Sequence, residues 1–336
     1  MSFKATLDAL CLLDDARVDG PKVVDALKEL GLNEVSFTRI EGPTGKTDFV
    51  KAVIRGSKGK GKGGNAPTLG VIGRLGGIGA RPEMIGLVSD GDGAVAAVAV
   101  AMKLARMQAK GDVLPGDVIV CTHICPDAPT QPHEPVPFMG SPVEMAVMNK
   151  YEVDPEMDAI LSIDTTKGNR VINHRGFAIS PTVKEGYILR VSEDLLGIMA
   201  ITTGKLPVTF PITTQDITPY GNGIYHLNSI LQPSTATSAP VVGVAITTET
   251  AVPGCATGAS HAVDIEEVVR FVVEVAKAFG IGKCSFYDKE EFARLLELYG
   301  PMNHLQTVGK HHGCSGGLLQ GREGFDRSVH FDSARK

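Results

Sequence analysis

The sequence predicts an α/β fold of three layers, in which a mostly parallel, mixed central sheet carries helices on both faces. Short β-branched runs alternate with longer segments of helical periodicity, which is the order of elements in such folds. The later runs are apolar throughout, as strands covered on both sides are. The chain has 336 residues, 43% of them hydrophobic, enough for one large core. We therefore expect a single domain over residues 1–300 and a C-terminal extension over residues 301–336.

Two helices and two strands open the chain. The first helix is predicted by an apolar face, whose positions are Leu7, Leu10 and Leu13. A second helix follows over residues 21–31, and Gly31 ends it. Short β-branched segments then predict strands over Glu34–Ile40 and Asp48–Gly56.

The segment Ser57–Pro67 alternates lysine with glycine. Its lysines, Lys58, Lys60 and Lys62, superficially suggest a phosphate-binding loop, but Gly63 stands where that motif continues with serine or threonine. We expect a flexible, solvated loop over residues 57–67.

Buried strands and helices alternate over the rest of the predicted domain. Apolar runs predict strands over Leu69–Leu75, Asp117–His123, Ala159–Asp164 and Pro240–Thr248. Helical patterns begin at Ser89, Ser192 and Asp264 and end at Gln108, Gly204 and Gly280. The first of these helices is apolar almost all round and should be buried. In the last, we expect Asp264 to be the N-terminal cap.

Composition excludes several classes of protein. The net charge of −5 gives no basic field for nucleic acid. The longest apolar run, Ala94–Met102, is far shorter than the roughly 18 residues that a membrane helix needs. Six scattered cysteines and an N-terminus without a signal-peptide layout favour reduced thiols in the cytoplasm. We expect a cytoplasmic homo-oligomer that acts on a small molecule and binds neither nucleic acid nor membranes.

Residues suited to chemistry follow several predicted strand ends, which meet at one edge of an α/β sheet. They are Arg74, Asp90, Asp92, His123, Cys125, Asp127, Asp164, Glu249, Cys255 and His261. Carboxylates and imidazoles from separate strands suit a zinc or manganese site, although no local motif of the HExxH kind is present. The structural alternative for Asp90 and Asp92 is that they only cap the following helix.

Three loops extend from this edge. The segment His123–Pro135 contains four prolines and carries His123, Cys125, Asp127, His133 and Glu134. We interpret it as a rigid acid–base or ligand loop, the alternative being a proline-stiffened turn. Arg175, in the segment Asp164–Pro181, is a candidate anchor for a substrate carboxylate. The segment Thr213–Asn228 adds Tyr220 as a substrate-binding candidate, and a solvated loop is the alternative for both segments.

Four strings carry a resemblance: GRLGGIGARPEMIGLVSDGDGAVAA, THICPDAP, ILSIDTTKGNR and GCATGASHAVDIEEVVRF. They resemble the prokaryotic family named domain of unknown function 1177, over about residues 3–305. More distantly, the order of elements is similar to that of the co-catalytic zinc aminopeptidases and deacylases. That similarity implies a zinc-aminopeptidase-like fold in which Asp90 bridges metals, Asp164 binds one metal and His261 binds the other. The sequence departs from the pattern where Arg74 replaces a histidine ligand and where no glutamate pair follows His123.

The leading hypothesis is a metal-dependent hydrolase of an amide or related bond in a small, anionic substrate. Its metal is zinc, with manganese as the alternative, held by Asp90, Asp164 and His261. His123 or Asp127 transfers the proton, and the substrate is bound by Arg74, Arg175 and Tyr220. One alternative is a non-catalytic ligand-binding protein on a degenerate hydrolase scaffold. Another is a metal-free, cysteine-dependent isomerase or racemase that uses Cys125 and Cys255.

Overall fold

The computed structural model describes residues 1–74, 86–128, 130–132, 136–212, 227–255 and 259–306. In these ranges the helices are α1 (Ser2–Leu13), α2 (Gly20–Glu29), α3 (Asp92–Gln108), α4 (Met145–Glu152), α5 (Glu193–Thr203), α6 (Ala262–Gly280) and α7 (Lys289–Tyr299). The strands are β1 (Glu34–Gly42), β2 (Gly45–Ile54), β3 (Leu69–Gly73), β4 (Val118–Ile124), β5 (Thr130–Gln131), β6 (Phe138–Met139), β7 (Ala159–Thr165), β8 (Gly176–Ile179), β9 (Val183–Lys184), β10 (Tyr187–Ile188) and β11 (Val241–Thr247).

Nine strands of the described chain form one central sheet. Its order is β1-β2-β4-β3-β7-β11-β9-β10, and β8 also pairs with β11. The central strands β4, β3, β7 and β11 are parallel to one another. The outer strands pair antiparallel. The predicted α/β fold with a mixed sheet is confirmed, and its parallel pairing is confined to the four central strands.

Both faces of the sheet are covered, because successive strand residues point to opposite sides. On one face, Val71 and Val120 join the large core formed with α1, α2, α3, α5 and α6. On the other face, Ile72 and Ile119 pack with the 3₁₀ segment Ser229–Thr235. The helix α4 contacts β2 and β4, and its Met148 packs with Phe49 of β2. The predicted three layers follow from this alternation.

The helix α3 is buried along most of its length. Its residues from Asp92 to Met102 are all buried, and it contacts α1, α6 and three of the parallel strands. A Cβ at residue 93 would lie 2.7 Å from both the Arg74 and the Ile163 carbonyl oxygens. Only glycine therefore allows the first turn of α3 to approach the ends of β3 and β7 this closely. Within the described ranges, no helix is both long and apolar enough to cross a membrane.

Two details of the predicted helices are wrong. The buried face of α1 is formed by Ala5, Ala9 and Leu13 while Leu7 is exposed, because small residues let α1 pack closely on α3 and α6. The residue at the N-cap of α6 is His261, and Asp264 lies inside the first turn, where its carboxylate binds side chains instead of capping the helix.

The centre of the lysine–glycine segment over residues 57–67 is hydrogen-bonded to the residue that precedes β4. It contains a 3₁₀ turn at Lys60–Lys62. The buried Asp117 carboxylate accepts hydrogen bonds from the backbone N–H groups of Gly56 (2.7 Å) and Gly61 (3.0 Å) and from Arg55 Nη1 (3.1 Å). These bonds hold the middle of the turn and the chain just before the segment on the residue that precedes β4.

The predicted C-terminal extension is bonded to the chain that precedes β11. The Gln306 side-chain amide donates to the carbonyl oxygens of Ser234 (3.0 Å) and Thr237 (2.6 Å). The remainder of the predicted extension, residues 307–336, lies outside the described residues.

We expect Asp117→Asn to lower the free energy of unfolding by about 1.5–3 kcal/mol, the cost of weakening hydrogen bonds to a charged group. Burial alone would raise the pKa of Asp117, but its hydrogen bonds from Gly61, Gly56 and Arg55 outweigh burial and hold the pKa below 3.8. The stabilisation is therefore complete above that pH and is lost on further acidification. Urea unfolding at neutral and acidic pH measures it. The exposed Asp25→Asn variant is the control, and an equal effect at both sites would contradict the anchor role.

Candidate functional site at the carboxyl edge of the parallel strands

The turn before α3 is bonded to the end of β7 and to the segment after β11. Ser89 donates its hydroxyl to the Pro253 carbonyl oxygen, 2.7 Å away, in the segment that follows β11. Its own carbonyl oxygen accepts a hydrogen bond from the hydroxyl of Thr165, the last residue of β7, at 3.2 Å. The next residues, Asp90 and Asp92, therefore lie at the carboxyl edge of the sheet, where ligand sites of open α/β folds are found.

Asp90 does not cap a helix. The N-cap residue of α3 is Gly91, and no side chain caps either α3 or the short 3₁₀ turn before it. The Asp90 carboxylate instead accepts a hydrogen bond of 2.9 Å from the Met139 backbone N–H. The Asp90 backbone N–H donates to the Gly254 carbonyl oxygen at 3.1 Å. A Cβ on Gly254 would lie 2.1 Å from Asp90 Oδ2, so the carboxylate is enclosed by backbone on this side.

Burial shifts the titration of this carboxyl group. Loss of solvent raises the pKa of Asp90 to about 6, a change that the Met139 N–H partly opposes. The neighbouring charge of Asp92 raises it further, and Lys167 lowers it. A carboxyl group with a pKa in this range exchanges its proton near neutral pH, as general acids and bases do.

Asp92 is buried with one cation beside it. Its Oδ2 atom accepts a hydrogen bond of 2.7 Å from Lys167 Nζ, and both side chains are buried. Its Oδ1 atom has no hydrogen-bond partner among the described residues. Burial raises the pKa of Asp92, against the lowering effects of Lys167, Ser260 and His261. Two buried carboxylates therefore share one ammonium group, which leaves negative charge uncompensated.

Asp164 and His261, the other predicted metal ligands, lie at the ends of their elements. The buried Asp164 is the penultimate residue of β7, and its carboxylate accepts a hydrogen bond of 2.7 Å from the Thr165 backbone N–H. The half-exposed His261 places its Nδ1 atom 3.2 Å from Asp264 Oδ2. The second oxygen of Asp264 accepts from Arg175 Nε, also at 3.2 Å. The histidine and the arginine are thus both oriented by one buried carboxylate.

These ligand candidates do not assemble into a three-ligand set. In the described ranges there is no group of three or more His, Cys, Asp and Glu side chains that could hold a metal ion. Catalytic zinc takes three protein ligands, so Asp90, Asp164 and His261 do not fit such a centre. The nearby pair of Asp90 and Asp92 offers only carboxylate oxygens, which are the donors that manganese and magnesium prefer.

A second cluster of charge lies inside the protein, on the face covered by α4. The fully buried Arg74 donates from Nη1 to Glu152 Oε2 at 2.5 Å and from Nη2 to Asn149 Oδ1 at 3.2 Å. The other oxygen of Glu152 lies 2.5 Å from Nδ1 of the buried His123. Both predicted site residues are therefore buried and paired with Glu152. No sequence pattern indicates Glu152, because the short helix α4 has no clear apolar period.

The remaining predicted site residues are dispersed. The Asp127 carboxylate lies against the turn between β1 and β2 and accepts a hydrogen bond of 3.4 Å from the Lys46 N–H. Arg175 is 58% exposed and lies at the surface beside His261. Tyr220, His133 and Glu134 lie outside the described residues.

Cys125 and Cys255 meet in one small apolar cluster, with Val88, Ala128 and Met139. Burial raises the pKa of the Cys125 thiol to about 12. The thiolate is the reactive form of cysteine, so this thiol is a poor nucleophile and base at neutral pH. The five cysteines in the described part of the chain form no disulfide.

The family described as "Protein of unknown function (DUF1177)" matches residues 38–309. No curated protein matches the sequence significantly. Among solved structures, "Bottromycin maturation enzyme BotP in complex with Mn" is 13% identical, with a TM-score of 0.47, over 81% of this chain and 71% of that one. The cytosol aminopeptidase from Coxiella burnetii is also 13% identical, with a TM-score of 0.46, over 81% of this chain and 69% of that one.

We expect Glu152→Gln to lower the free energy of unfolding by about 3–5 kcal/mol, because it leaves the buried Arg74 charge without its counter-charge. The control is Glu156→Gln, four residues later, whose carboxylate is 51% exposed and pairs with Arg55 at 3.4 Å. An exposed pair contributes at most about 1 kcal/mol. Urea unfolding compares the two, and losses of similar size would show that Glu152 does not stabilise the network.

We expect Asp90→Asn to stabilise the protein at about pH 8 and to have little effect at about pH 4. The folded pKa of about 6 lies above the ordinary 3.8, so wild-type stability falls as the pH rises between these values. The full difference is at most about 3 kcal/mol, at 1.36 kcal/mol for each pKa unit. Unfolding by urea across this pH range measures it. Parallel curves for the wild type and the variant would contradict a raised pKa for Asp90.

Proposed function

Since this chain belongs to the DUF1177 family, we propose that it is a hydrolase that cleaves an amide or related bond in a small, anionic substrate at the edge formed by Asp90, Asp92 and Lys167. The observation that supports this site is its charge imbalance, in which two buried carboxylates share one ammonium group. Burying a charge without compensation destabilises a fold, and such arrangements cluster where a protein uses them chemically. The reaction class rests on the resemblance of the sequence to zinc aminopeptidases and deacylases.

Asp90 is the proposed proton-transfer group. Hydrolysis of an amide requires that a proton leave the attacking water and that a proton reach the departing amine. One carboxyl group can do both, first as base and then as acid, with water and amide consumed and acid and amine formed. Asp90 suits this role because it is buried at the sheet edge with one oxygen held by the Met139 N–H. His123 and Asp127 remain predictions for the same role, although the Glu152 contact makes His123 less accessible.

Two cations are proposed to act on the substrate. The Lys167 ammonium is held between Asp92 Oδ2 at 2.7 Å and the Ala259 carbonyl oxygen at 3.5 Å. Its fixed position suits stabilisation of the negative charge that develops on a carbonyl oxygen. Arg175 is exposed, and its Nε donates to Asp264 Oδ1 at 3.2 Å. Its remaining guanidinium N–H groups can pair with a substrate carboxylate.

A divalent cation at this edge also remains a proposal, with zinc as predicted and manganese as the alternative. The support is the unpaired Oδ1 atom of Asp92 beside the Asp90 carboxylate. A cation there would compensate the excess negative charge, and the all-oxygen donors favour manganese over zinc. Neither the proton transfer by Asp90 nor the charge of Lys167 depends on this cation.

The two alternative functions differ in their support. A non-catalytic binding protein would use the same cations, Lys167 and Arg175, without turnover. A cysteine-dependent isomerase has less support, since Cys125 is buried and its thiol stays protonated at neutral pH. A cytoplasmic location and a homo-oligomeric state also remain predictions.

We expect the purified chain to release amine from at least one member of a panel of N-acyl amino acids and acidic dipeptides. Asp90→Asn should lower kcat by about 100-fold or more, the usual contribution of a general acid or base, while the variant stays folded. Arg175→Gln should instead raise KM for the anionic substrates. Asp25→Asn, on the exposed surface of α2, is the control. Fluorescence of a derivatised amine product gives the rates.

The assay is run after chelation and again with added manganese or zinc. Activity that appears only with a metal would add the cation to the proposal. Thermal stabilisation by panel members without amine release, under any metal condition, would favour the binding protein. Full activity in Asp90→Asn would remove Asp90 from the reaction.

A further inference from the structure

A groove of about 480 Å³ lies between α5 and α6, on the face of the sheet that packs with α1 and α3. Its apolar lining comes from Ile198 and Ile201 of α5 and from Ala278 and Ile281 at the end of α6. Ile201 is 85% exposed, which is unusual for an isoleucine in a helix that packs on the core. The groove thus has a prominent apolar side chain at its own rim.

Gly197, one turn before Ile201, gives an independent indication. It lies in the middle of α5 and is exposed. Glycine weakens a helix interior, so its presence usually has a packing reason. A Cβ at this position would meet nothing within 4 Å, and its backbone is not left-handed. No contact within the described chain therefore requires glycine here, whereas the close approach of another molecule would.

The charged side chains around the groove indicate what kind of molecule approaches. On α6, Arg270 pairs with Glu266 at 2.7 Å and Lys277 pairs with Glu274 at 2.6 Å. The lining thus carries Arg270, Lys277 and Glu274, and both cations are paired with carboxylates of their own helix. A rim compensated in this way would neither attract a strongly charged partner nor repel a copy of itself. In a twofold arrangement, each cation of one copy can also meet an anion of the other.

We propose that this groove binds a second copy of the chain, in a twofold dimer in which Ile201 of each copy enters the groove of the other. The protruding side chain and the cavity lie next to each other on one surface, as a self-complementary interface requires. Gly197 lets the two α5 helices approach closely at the axis, because helix separation depends on the side chains at the contact. The interface buries the exposed isoleucine and gives the mid-helix glycine a function.

Sedimentation equilibrium of the full-length chain tests the proposal. We expect the wild type to dimerise at micromolar concentration, and Ile201→Asp to raise the dissociation constant at least about tenfold. Gly197→Gln should do the same, although glutamine is the better helix former and should not lower the thermal midpoint of the monomer. The matched control is Leu298→Asp on α7, where the leucine is 62% exposed and lies on another helix. This variant should dimerise like the wild type.

Three results would overturn the proposal. A wild-type chain that stays monomeric at all concentrations would show that the groove does not bind a second copy. A dimer that neither Ile201→Asp nor Gly197→Gln weakens would place the interface elsewhere. Equal dissociation of Leu298→Asp would show that the effect belongs to added charge and not to this groove.

Discussion

The contact between the first turn of α3 and the ends of β3 and β7 fixes the position of the candidate site. Gly93 permits this contact, since any side chain would collide with the Arg74 and Ile163 carbonyl oxygens. The two aspartates on either side of Gly91 are thereby carried below the protein surface, where water no longer compensates their charge. The uncompensated charge and the raised pKa of Asp90 both follow from that burial.

The two buried charge clusters differ in how far their charges are compensated. In the interior, Glu152 is neutralised by Arg74 and contacts His123, and their charges and hydrogen bonds outweigh burial and keep its pKa below 4.5. At the sheet edge, Lys167 is the one ammonium group that the described residues place beside Asp90 and Asp92, and burial raises the pKa of both carboxyl groups. A compensated cluster stabilises a particular packing, whereas an uncompensated one is ready to accept a proton, a cation or a ligand. This contrast is consistent with a structural role for the interior cluster, and it supports the proposal that the edge is the functional site.

Patterns in the sequence predict those parts of the structure that depend on residues close together in the chain. The sequence predicts the apolar strands, the burial of α3 and the end of α5 at Gly204. Each of these features depends on the periodicity of apolar residues or on a capping residue within one short segment. The parallel centre of the sheet follows from the alternation of strands and helices. The helix α4 is short, and its buried and exposed residues follow no clear period. The sequence therefore does not indicate this helix, nor the burial of Glu152 at its end. Without Glu152, Arg74 and His123 look like accessible site residues.

The sequence by itself determined the fold class and the edge of the sheet at which polar residues gather, since both depend on the order of elements along the chain. It also determined the family, through four long and specific strings of residues. Only the tertiary structure decided which of these residues meet. It paired Asp92 with Lys167, enclosed Asp90 beside Gly254 and turned His123 toward the interior. The physical reason is that pairing and desolvation depend on distances between distant segments, which residue types and spacings do not specify.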